Sequence, residues 1–174
     1  DEKGWFTHWI SIEKDVTDQK NQEIQKILLA DISQLFNSTL TLTETLNKVL
    51  KPTSAVGNYC AAEIWLVDDD KQNLNLLAKY SAGDKMEQFY LETKDKHTFK
   101  FGEGLPGTVW KSRTMHVWDI DSTDFSKFRT KAAHKANIKK GIGLPLFNNE
   151  KVNGVLILGT REDKGVSDSA VLSA

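Results

Sequence analysis

The sequence predicts an α+β domain built on an antiparallel sheet. Apolar residues recur at helical spacing up to about residue 50, after which the pattern changes to that of strands. Apolar strand-like segments then flank short polar turns at residues 68–71 and 148–151, which is typical of hairpins. Strands joined by hairpins, with helices before, between and after them, favour an antiparallel sheet over a parallel one.

The N-terminal segment predicts a strand followed by a long helix. Residues 5–16 alternate between two faces, and the partners of this strand must lie elsewhere because a lone strand is unstable. Thr17 or Asp18 is placed to cap the helix by accepting hydrogen bonds from free backbone N–H groups. The helix reaches about residue 37 and carries one apolar stripe. That stripe consists of Ile24, Ile27, Leu28, Ile32, Leu35 and Phe36.

The next segments predict a second helix and then a hairpin. The helix begins near Thr41 or Thr43, with Glu44 early in its first turn. Pro52 should end or kink it, because proline lacks the backbone N–H that the helix requires. The nearly continuous apolar run that starts at Tyr59 predicts a central strand. An alternating strand over residues 73–82 would be its hairpin partner.

A helical section separates this hairpin from the remaining strands. Residues 84–91 predict a short helix, and residues 99–101 lead into the glycine-rich segment 102–107. Pro106 suits the first turn of a helix that ends near Ser112.

The C-terminal third predicts three strands and two helices. Residues 116–120 form a short strand, and residues 126–137 form a basic helix. Two apolar strands follow, over residues 138–147 and 152–161, and a last helix begins at residues 167–168.

Composition limits the environment in which the protein works. Hydrophobic residues make up 39% of the chain and charged residues 27%, so a packed core is expected. The net charge of −1 gives no general attraction to nucleic acid or to an anionic membrane. No apolar run approaches the ~20 residues of a membrane span, and residues 1–5 do not contain the apolar region of a signal peptide. The single cysteine, Cys60, cannot form an internal disulfide. We therefore expect a cytoplasmic location, within a longer protein because the chain lacks an initiator methionine.

The first twenty residues carry a family resemblance. The segment GWFTHWISIEKDVTDQK, residues 4–20, resembles the end of a PAS domain, whose last strand closes in an Asp-Ile/Val-Thr signature before a linker helix. The resemblance implies that residues 1–17 are the C-terminal strand of a PAS domain. Residues 18–38 would then be a linker helix that carries signals.

Five short motifs carry a second resemblance, which covers most of the chain. They are AAEIWLVD from residue 61, GEGLPGTVW from residue 102, VWDI from residue 117, IGLPLF from residue 142 and VNGVLILG from residue 152. Their order and spacing are similar to those of a GAF domain. The resemblance implies a GAF domain over residues 39–165, with an antiparallel sheet of five or six strands and helices on both faces. Residues 166–174 would begin a C-terminal output helix.

The GAF resemblance also implies a ligand pocket between the sheet and the central helical segment. The side chains that family geometry would place near it are Tyr80, Phe101, Thr108, Trp110, Trp118, Phe128 and His134.

GAF domains that follow PAS domains commonly occur in bacterial sensors such as sensor histidine kinases. The expected function is therefore regulatory and not enzymatic: an unidentified small ligand, or a signal from upstream, shifts the flanking helices. The apolar stripe would pair across a twofold axis in a homodimer, and the alternative is that it packs back on the sheet of its own domain. One alternative is a dimerising spacer with a closed apolar pocket, and another is an enzyme on the same fold.

Three features of the sequence are typical of specific chemistries but have simpler explanations. The glycines at 102, 104 and 107 match a dinucleotide-binding loop, but the antiparallel setting and Pro106 favour a tight turn before a helix. A GAF-fold methionine sulfoxide reductase would need a partner for Cys60, and the sequence has none. Covalent bilin attachment is not expected, because residues 126–137 hold His134 but no cysteine.

Two further alternatives concern charged side chains. The four histidines have no spacing typical of a metal site, and His134 is either solvated or a pH-sensitive group beside the pocket. Lys127, Lys131 and Lys135 lie on one helix face, with Arg129 nearby, which is a solvated face or an anion patch. No aromatic residues interleave with them, so nucleic-acid binding is not expected.

Overall fold

The structure is a computed structural model that describes residues 40–121 and 127–161. Several predictions from the sequence lie outside these residues. They are the PAS-like strand, the cap residues Thr17 and Asp18, the apolar stripe of the linker helix, and the helix after residue 166. The side chains of Val56, Lys127 and Phe128 are likewise outside the description.

The described residues form a mixed α+β domain, as the sequence predicts. In chain order its elements are α1 (Leu42–Val56), β1 (Ala61–Val67), β2 (Asn73–Ser81), α2 (Asp84–Glu92), β3 (Thr98–Lys100), α3 (Gly104–Ser112), β4 (His116–Asp119), α4 (Lys127–Lys135), β5 (Lys140–Asn148) and β6 (Lys151–Thr160). Within the described ranges the strands make one sheet of six, in the order β3-β2-β1-β6-β5-β4. Every neighbouring pair is antiparallel. The two hairpins, β1–β2 and β5–β6, therefore lie where the polar turns predict them.

Helix α1 begins at a capping box, as its sequence suggests. The Thr41 hydroxyl accepts a hydrogen bond from the Glu44 backbone N–H at 3.3 Å, and the Glu44 carboxylate accepts one from the Thr41 backbone N–H at 2.9 Å. The helix does not end at Pro52 but continues to Val56. Packing offsets the missing hydrogen bond, because Leu50 and Ser54, on either side of Pro52, are almost completely buried.

The alternation of strand β1 assigns its side chains to two separate layers. Ala62 and Ile64 belong to a cluster with Leu50 of α1, on one face of the sheet. Ala61 and Trp65 point to the opposite face, which helices α2, α3 and α4 cover. The sheet thus has helices on both faces, and any interior site beside α2–α4 is built from the odd-numbered residues of β1.

Across residues 40–121 and 127–161 there is no helix with the length and apolar character needed to cross a bilayer. In that part of the chain, no three His, Cys, Asp or Glu side chains lie close enough together to hold a metal ion.

Candidate ligand pocket

A small cavity lies between the sheet and helices α2, α3 and α4. Its volume is about 50 Å³. Strands β1 and β6 form its floor, and Phe89 of α2, Leu105 of α3 and Ala133 of α4 form part of its cover. Among the described residues that line it, all are apolar except Glu63 and Arg129. The charged chemistry of this cavity is therefore confined to one pair of side chains.

Glu63 and Arg129 form a buried ion pair on the cavity wall. The guanidinium donates from Nη1 to Glu63 Oε2 at 3.0 Å and from Nη2 to Oε1, so the contact is bidentate. Trp65 Nε1 donates a third hydrogen bond to Oε2 at 2.8 Å. Glu63 is 3% exposed and Arg129 is 8% exposed. Because both charges are removed from water, each depends on the other for its stability.

Aromatic rings hold the guanidinium in place. The guanidinium carbon of Arg129 lies 4.7 Å from the ring centre of Phe89 and 5.9 Å from that of Trp65. Burial by itself would lower the pKa of Arg129, but attraction to the Glu63 carboxylate and the hydrogen bonds with it outweigh burial and raise that pKa. Arg129 is therefore charged at every physiological pH.

One donor of Arg129 has no partner among the described residues. Its Nε–H is fully buried and makes no hydrogen bond within residues 40–121 and 127–161. A buried polar group without a partner costs about 1–3 kcal/mol.

Cys60 lies beside this region but is not prepared for nucleophilic chemistry. Its thiol is buried and donates to the Gly159 carbonyl at 3.3 Å. Burial raises the pKa of the Cys60 thiol above its ordinary value. Both features favour the neutral thiol over the reactive thiolate.

The pocket residues predicted from the family geometry lie elsewhere. None of those whose side chains are described lies on the cavity wall. Tyr80 is paired with Ala62 and packs on the α1 side of the sheet, so strand alternation directs it away from the cavity. Trp118 is half-buried against the core cluster that contains Trp65. Phe128 cannot be placed, because its side chain is outside the described set.

Two predicted aromatic residues line a different depression. The rings of Phe101 and Trp110 meet edge to face at 5.1 Å and border a cleft of about 390 Å³. This cleft lies at the ends of β1 and β6 that carry Val67 and Val152, whereas the cavity lies at their opposite ends. Thr108 is half-buried on α3 and borders neither space.

His134 is on the outer side of α4. Half of its side chain is exposed, and its Nε2 is 3.3 Å from Asp121 Oδ1. His134 is therefore a solvated residue and does not line the cavity. Lys135 on the same helix is also exposed and pairs with Glu92 at 2.9 Å.

The structure corrects the sequence interpretation of Arg129. The sequence groups it with the basic residues of a solvated helix face, but it points inward to Glu63. The pair could have been predicted from Glu63, because this residue is an isolated acid within the apolar strand AAEIWLV. Charged residues are almost never fully buried unless they are paired, so this acid requires a cationic partner.

The glycine-rich segment is a turn, as the sequence favours. Gly102 and Gly104 have φ of 80° and 59°, values that glycine adopts without strain. The Gly102 N–H donates to the Gly107 carbonyl at 2.9 Å, and the Glu103 carboxylate accepts from the Lys100 N–H at 2.9 Å. The loop is closed by its own hydrogen bonds, and Glu103 would repel a phosphate.

Comparisons with known proteins agree on one family. A family model described as GAF domain matches residues 39–172. The GAF domain of a phosphoenolpyruvate-protein phosphotransferase from Coxiella burnetii is similar in structure, with a TM-score of 0.66, 20% identity, and coverage of 86% of this chain and 84% of that chain. The A. aeolicus nlh2 GAF domain in an inactive state has a TM-score of 0.63 and 17% identity, and the match covers 83% of each chain.

An enzyme shares the same fold. The free methionine-R-sulfoxide reductase from Neisseria meningitidis, solved in complex with its substrate, has a TM-score of 0.60 and 19% identity, with coverage of 82% of this chain and 76% of that chain. Identities this low show the fold alone. A search of curated proteins found no match. The family model, however, spans most of the sequence. The chain therefore belongs to the GAF domain family.

Proposed function

We propose that this GAF domain is the sensory and regulatory module of a bacterial signal-transduction protein, and that a small molecule in the Glu63–Arg129 cavity is its input. One observation carries the proposal: the buried ion pair that joins strand β1 to helix α4, Glu63–Arg129, lines an otherwise apolar cavity. A ligand in this cavity would contact both elements that the pair joins, so it would stabilise the arrangement in which Arg129 holds α4 to β1.

The position of the cavity supports a regulatory role. Its floor includes Leu158 and Gly159, near the end of the last described strand. Arg161 follows that strand and donates from Nε to the Ala136 carbonyl at 3.3 Å, directly after α4. The Lys139 N–H donates to the Thr160 carbonyl at 2.8 Å. A shift of α4 would therefore move Thr160 and Arg161, at the C-terminal end of the last described strand.

The flanking segments would relay the signal. The flanking segments, residues 18–38 and those after residue 166, would form helices that pair in a homodimer and pass the shift to an output domain. The apolar stripe of the N-terminal segment supports such pairing. The ligand must favour one arrangement of these helices over the other, because equal binding to both shifts nothing. An upstream PAS domain would supply a second input.

The environment of Cys60 argues against thiol catalysis by this segment. The reductase from Neisseria meningitidis shows that the fold supports an enzyme. In this chain the single cysteine is buried, bonded to Gly159, and has a raised pKa. These features favour a sensor over a thiol enzyme. The remaining alternative, a spacer that binds nothing, differs from the sensor only in whether the cavity accepts a ligand.

Native mass spectrometry of the full chain tests the proposal. Ala133 is 1% exposed and lines the cavity, so Ala133→Leu would fill the space with little change in the outer surface. We expect a small-molecule adduct on the wild-type protein and its loss in Ala133→Leu, while both variants keep the same circular dichroism spectrum. No adduct on wild type, and no stabilisation of it by any member of a small-metabolite library, would support the spacer instead.

Sedimentation measurements test the relay. A dimer that is retained by the full chain and lost in Ile27→Asp with Leu35→Asp would support pairing through the stripe. A monomeric wild-type chain at high micromolar concentration would contradict it.

A further inference from the structure

We propose that the cleft bordered by Phe101 and Trp110 is a docking surface for an acidic protein segment that carries an aromatic or large aliphatic side chain. This cleft shares no described lining residue with the Glu63–Arg129 cavity. A partner bound here would therefore contact the domain at a second site, separate from the ligand in the cavity.

Positive charge dominates the lining of this cleft, although the chain as a whole has a net charge of −1. Glu150 is the one acid among the described residues that line it, against four cations. In the part of the chain that the structure describes, none of the three lysines among these cations forms an ion pair. Carboxylates of a partner would therefore meet cations that no contact has already neutralised. The four cations are Lys71, Lys111, Arg113 and Lys151.

The stability of helix α3 explains only part of this charge. Lys111 in its last turn and Arg113 at its C-cap both complement the helix dipole. Lys71, however, lies in the turn between β1 and β2, and Lys151 is the first residue of β6. The fold thus brings positive charge from three separate elements to one surface.

Exposed aromatic rings accompany these cations. Phe101 is 57% exposed although its ring packs edge to face against Trp110, and Phe147 is 52% exposed. The guanidinium carbon of Arg113 lies 6.0 Å from the ring centre of Phe147. Arg113 also donates to the backbone carbonyl of Glu150, so it bridges the end of α3 and the β5–β6 turn. These contacts hold the rings and the cation in place before a partner binds, which lowers the entropic cost of docking.

Carboxylates at the cleft distinguish a protein segment from a uniform polyanion. Asp69 and Asp70 are exposed in the same turn as Lys71, and Glu150 lines the cleft itself. These groups would repel the closely spaced phosphates of nucleic acid or of an anionic bilayer. A protein segment can place a few carboxylates on the cations and an apolar side chain on the ring of Phe101. The combination of charge and exposed rings therefore favours a protein partner.

Selection from a random peptide library tests this proposal without assuming one sequence. The full chain is immobilised, and short displayed peptides are selected for binding to it. We expect the enriched peptides to combine several acidic residues with an aromatic or large aliphatic residue. A synthetic, fluorescein-labelled copy of the most enriched peptide then gives the dissociation constant by fluorescence anisotropy.

Charge reversal tests where this peptide binds. Lys111→Glu with Lys151→Glu should weaken binding at least about tenfold, because both lysines line the cleft. The difference from wild type should shrink at high salt, since salt screens exposed charges. Lys94→Glu with Lys139→Glu is the matched control, because these lysines are equally classed as exposed but do not line the cleft.

Removal of the exposed ring tests the apolar part of the contact. Phe101→Ser should weaken binding at least about fivefold. Leu91→Ser should leave binding unchanged, because Leu91 is 61% exposed but lies on α2 and does not line the cleft. All these variants should keep the circular dichroism spectrum of wild type, since each substituted side chain is exposed.

The proposal fails if no peptide is enriched or if the enriched peptides lack acidic residues. Binding that the cleft variants leave unchanged would overturn the docking surface. Displacement of the labelled peptide by oligothymidylate or by phosphatidylserine vesicles, at lower concentration than by unlabelled peptide, would overturn the protein partner in favour of a polyanion. A small-molecule adduct in the Glu63–Arg129 cavity is measured independently, so the proposed function stands or falls separately.

Discussion

Glu63 on the central strand and Arg129 on helix α4 form a bidentate ion pair between positions 66 residues apart in the sequence. The pair joins the sheet to the helix that covers it and forms the polar part of the cavity wall. Because both members are buried, a change in the cavity that disturbs the pair should also change the stability of the domain.

Removal of one charge from this pair should lower the stability of the fold far more than removal of both charges. We expect Glu63→Leu to lower the free energy of unfolding by about 3–5 kcal/mol, because it leaves the Arg129 guanidinium buried without a counter-ion. The double variant, Glu63→Leu with Arg129→Met, should recover most of this loss. Urea denaturation of the two single variants and the double variant gives the comparison. A double variant as unstable as the sum of the singles would show that the charges are not coupled.

The capping box of α1 should give the domain a measurable acid sensitivity. Hydrogen bonds from the Thr41 side chain and then its backbone lower the pKa of Glu44 below its ordinary value of 4.5. A lowered pKa in the folded state means that the contribution of Glu44 is present at neutral pH and is lost as the pH falls below about 4.5. Wild type should therefore melt at a higher temperature than Glu44→Gln at pH 7, and this difference should shrink at pH 3.

Thr41→Ala provides the control for that cap. We expect it to cost about 1 kcal/mol of stability at pH 7, since the helix loses the side chain that accepts from its first turn. In the Thr41→Ala background, Glu44→Gln should have a smaller effect on melting. An unchanged effect would place the role of Glu44 outside the cap.

Gly107 should tolerate substitution less well than Gly83. A Cβ atom on Gly107 would overlap the Lys100 carbonyl oxygen, which belongs to the backbone and cannot rotate away. Gly83 has open space around its Cβ position but a φ of +82°, so Gly83→Ala carries only backbone strain, about 1–2 kcal/mol. We expect Gly107→Ala to cost about 3 kcal/mol, measured by urea denaturation. Equal losses at the two positions would contradict the overlap at Gly107.

Cys60 should react slowly in the folded protein. Burial and its raised pKa keep the thiol neutral, so alkylation by iodoacetamide at pH 7.5 should be at least about 100-fold slower than in urea-unfolded chain. The rate should rise only through the unfolding transition. Fast alkylation of the native chain, monitored by intact mass, would restore Cys60 as a candidate nucleophile.

The local elements were predictable because each depends on neighbours in sequence. The polar turns at residues 68–71 and 148–151 each separate two strands that pair antiparallel, and Thr41 and Glu44 start α1 where capping residues precede an apolar stripe. Short-range hydrogen bonding and side-chain period suffice for such features. Pro52 is the exception, since burial of its helix against the sheet outweighed a local signal to stop.

The sequence by itself determined the α+β class, the hairpins and the glycine turn before α3. The tertiary structure alone decided which charged residue of the basic helix faces inward, and that Tyr80 faces α1 and not the cavity. The local sequence pattern shows the period of a helix or strand. It does not show how a helix is rotated about its own axis when it packs on a sheet. For α4, that rotation depends on the pairing of Arg129 with Glu63, two residues far apart in the sequence that become buried together.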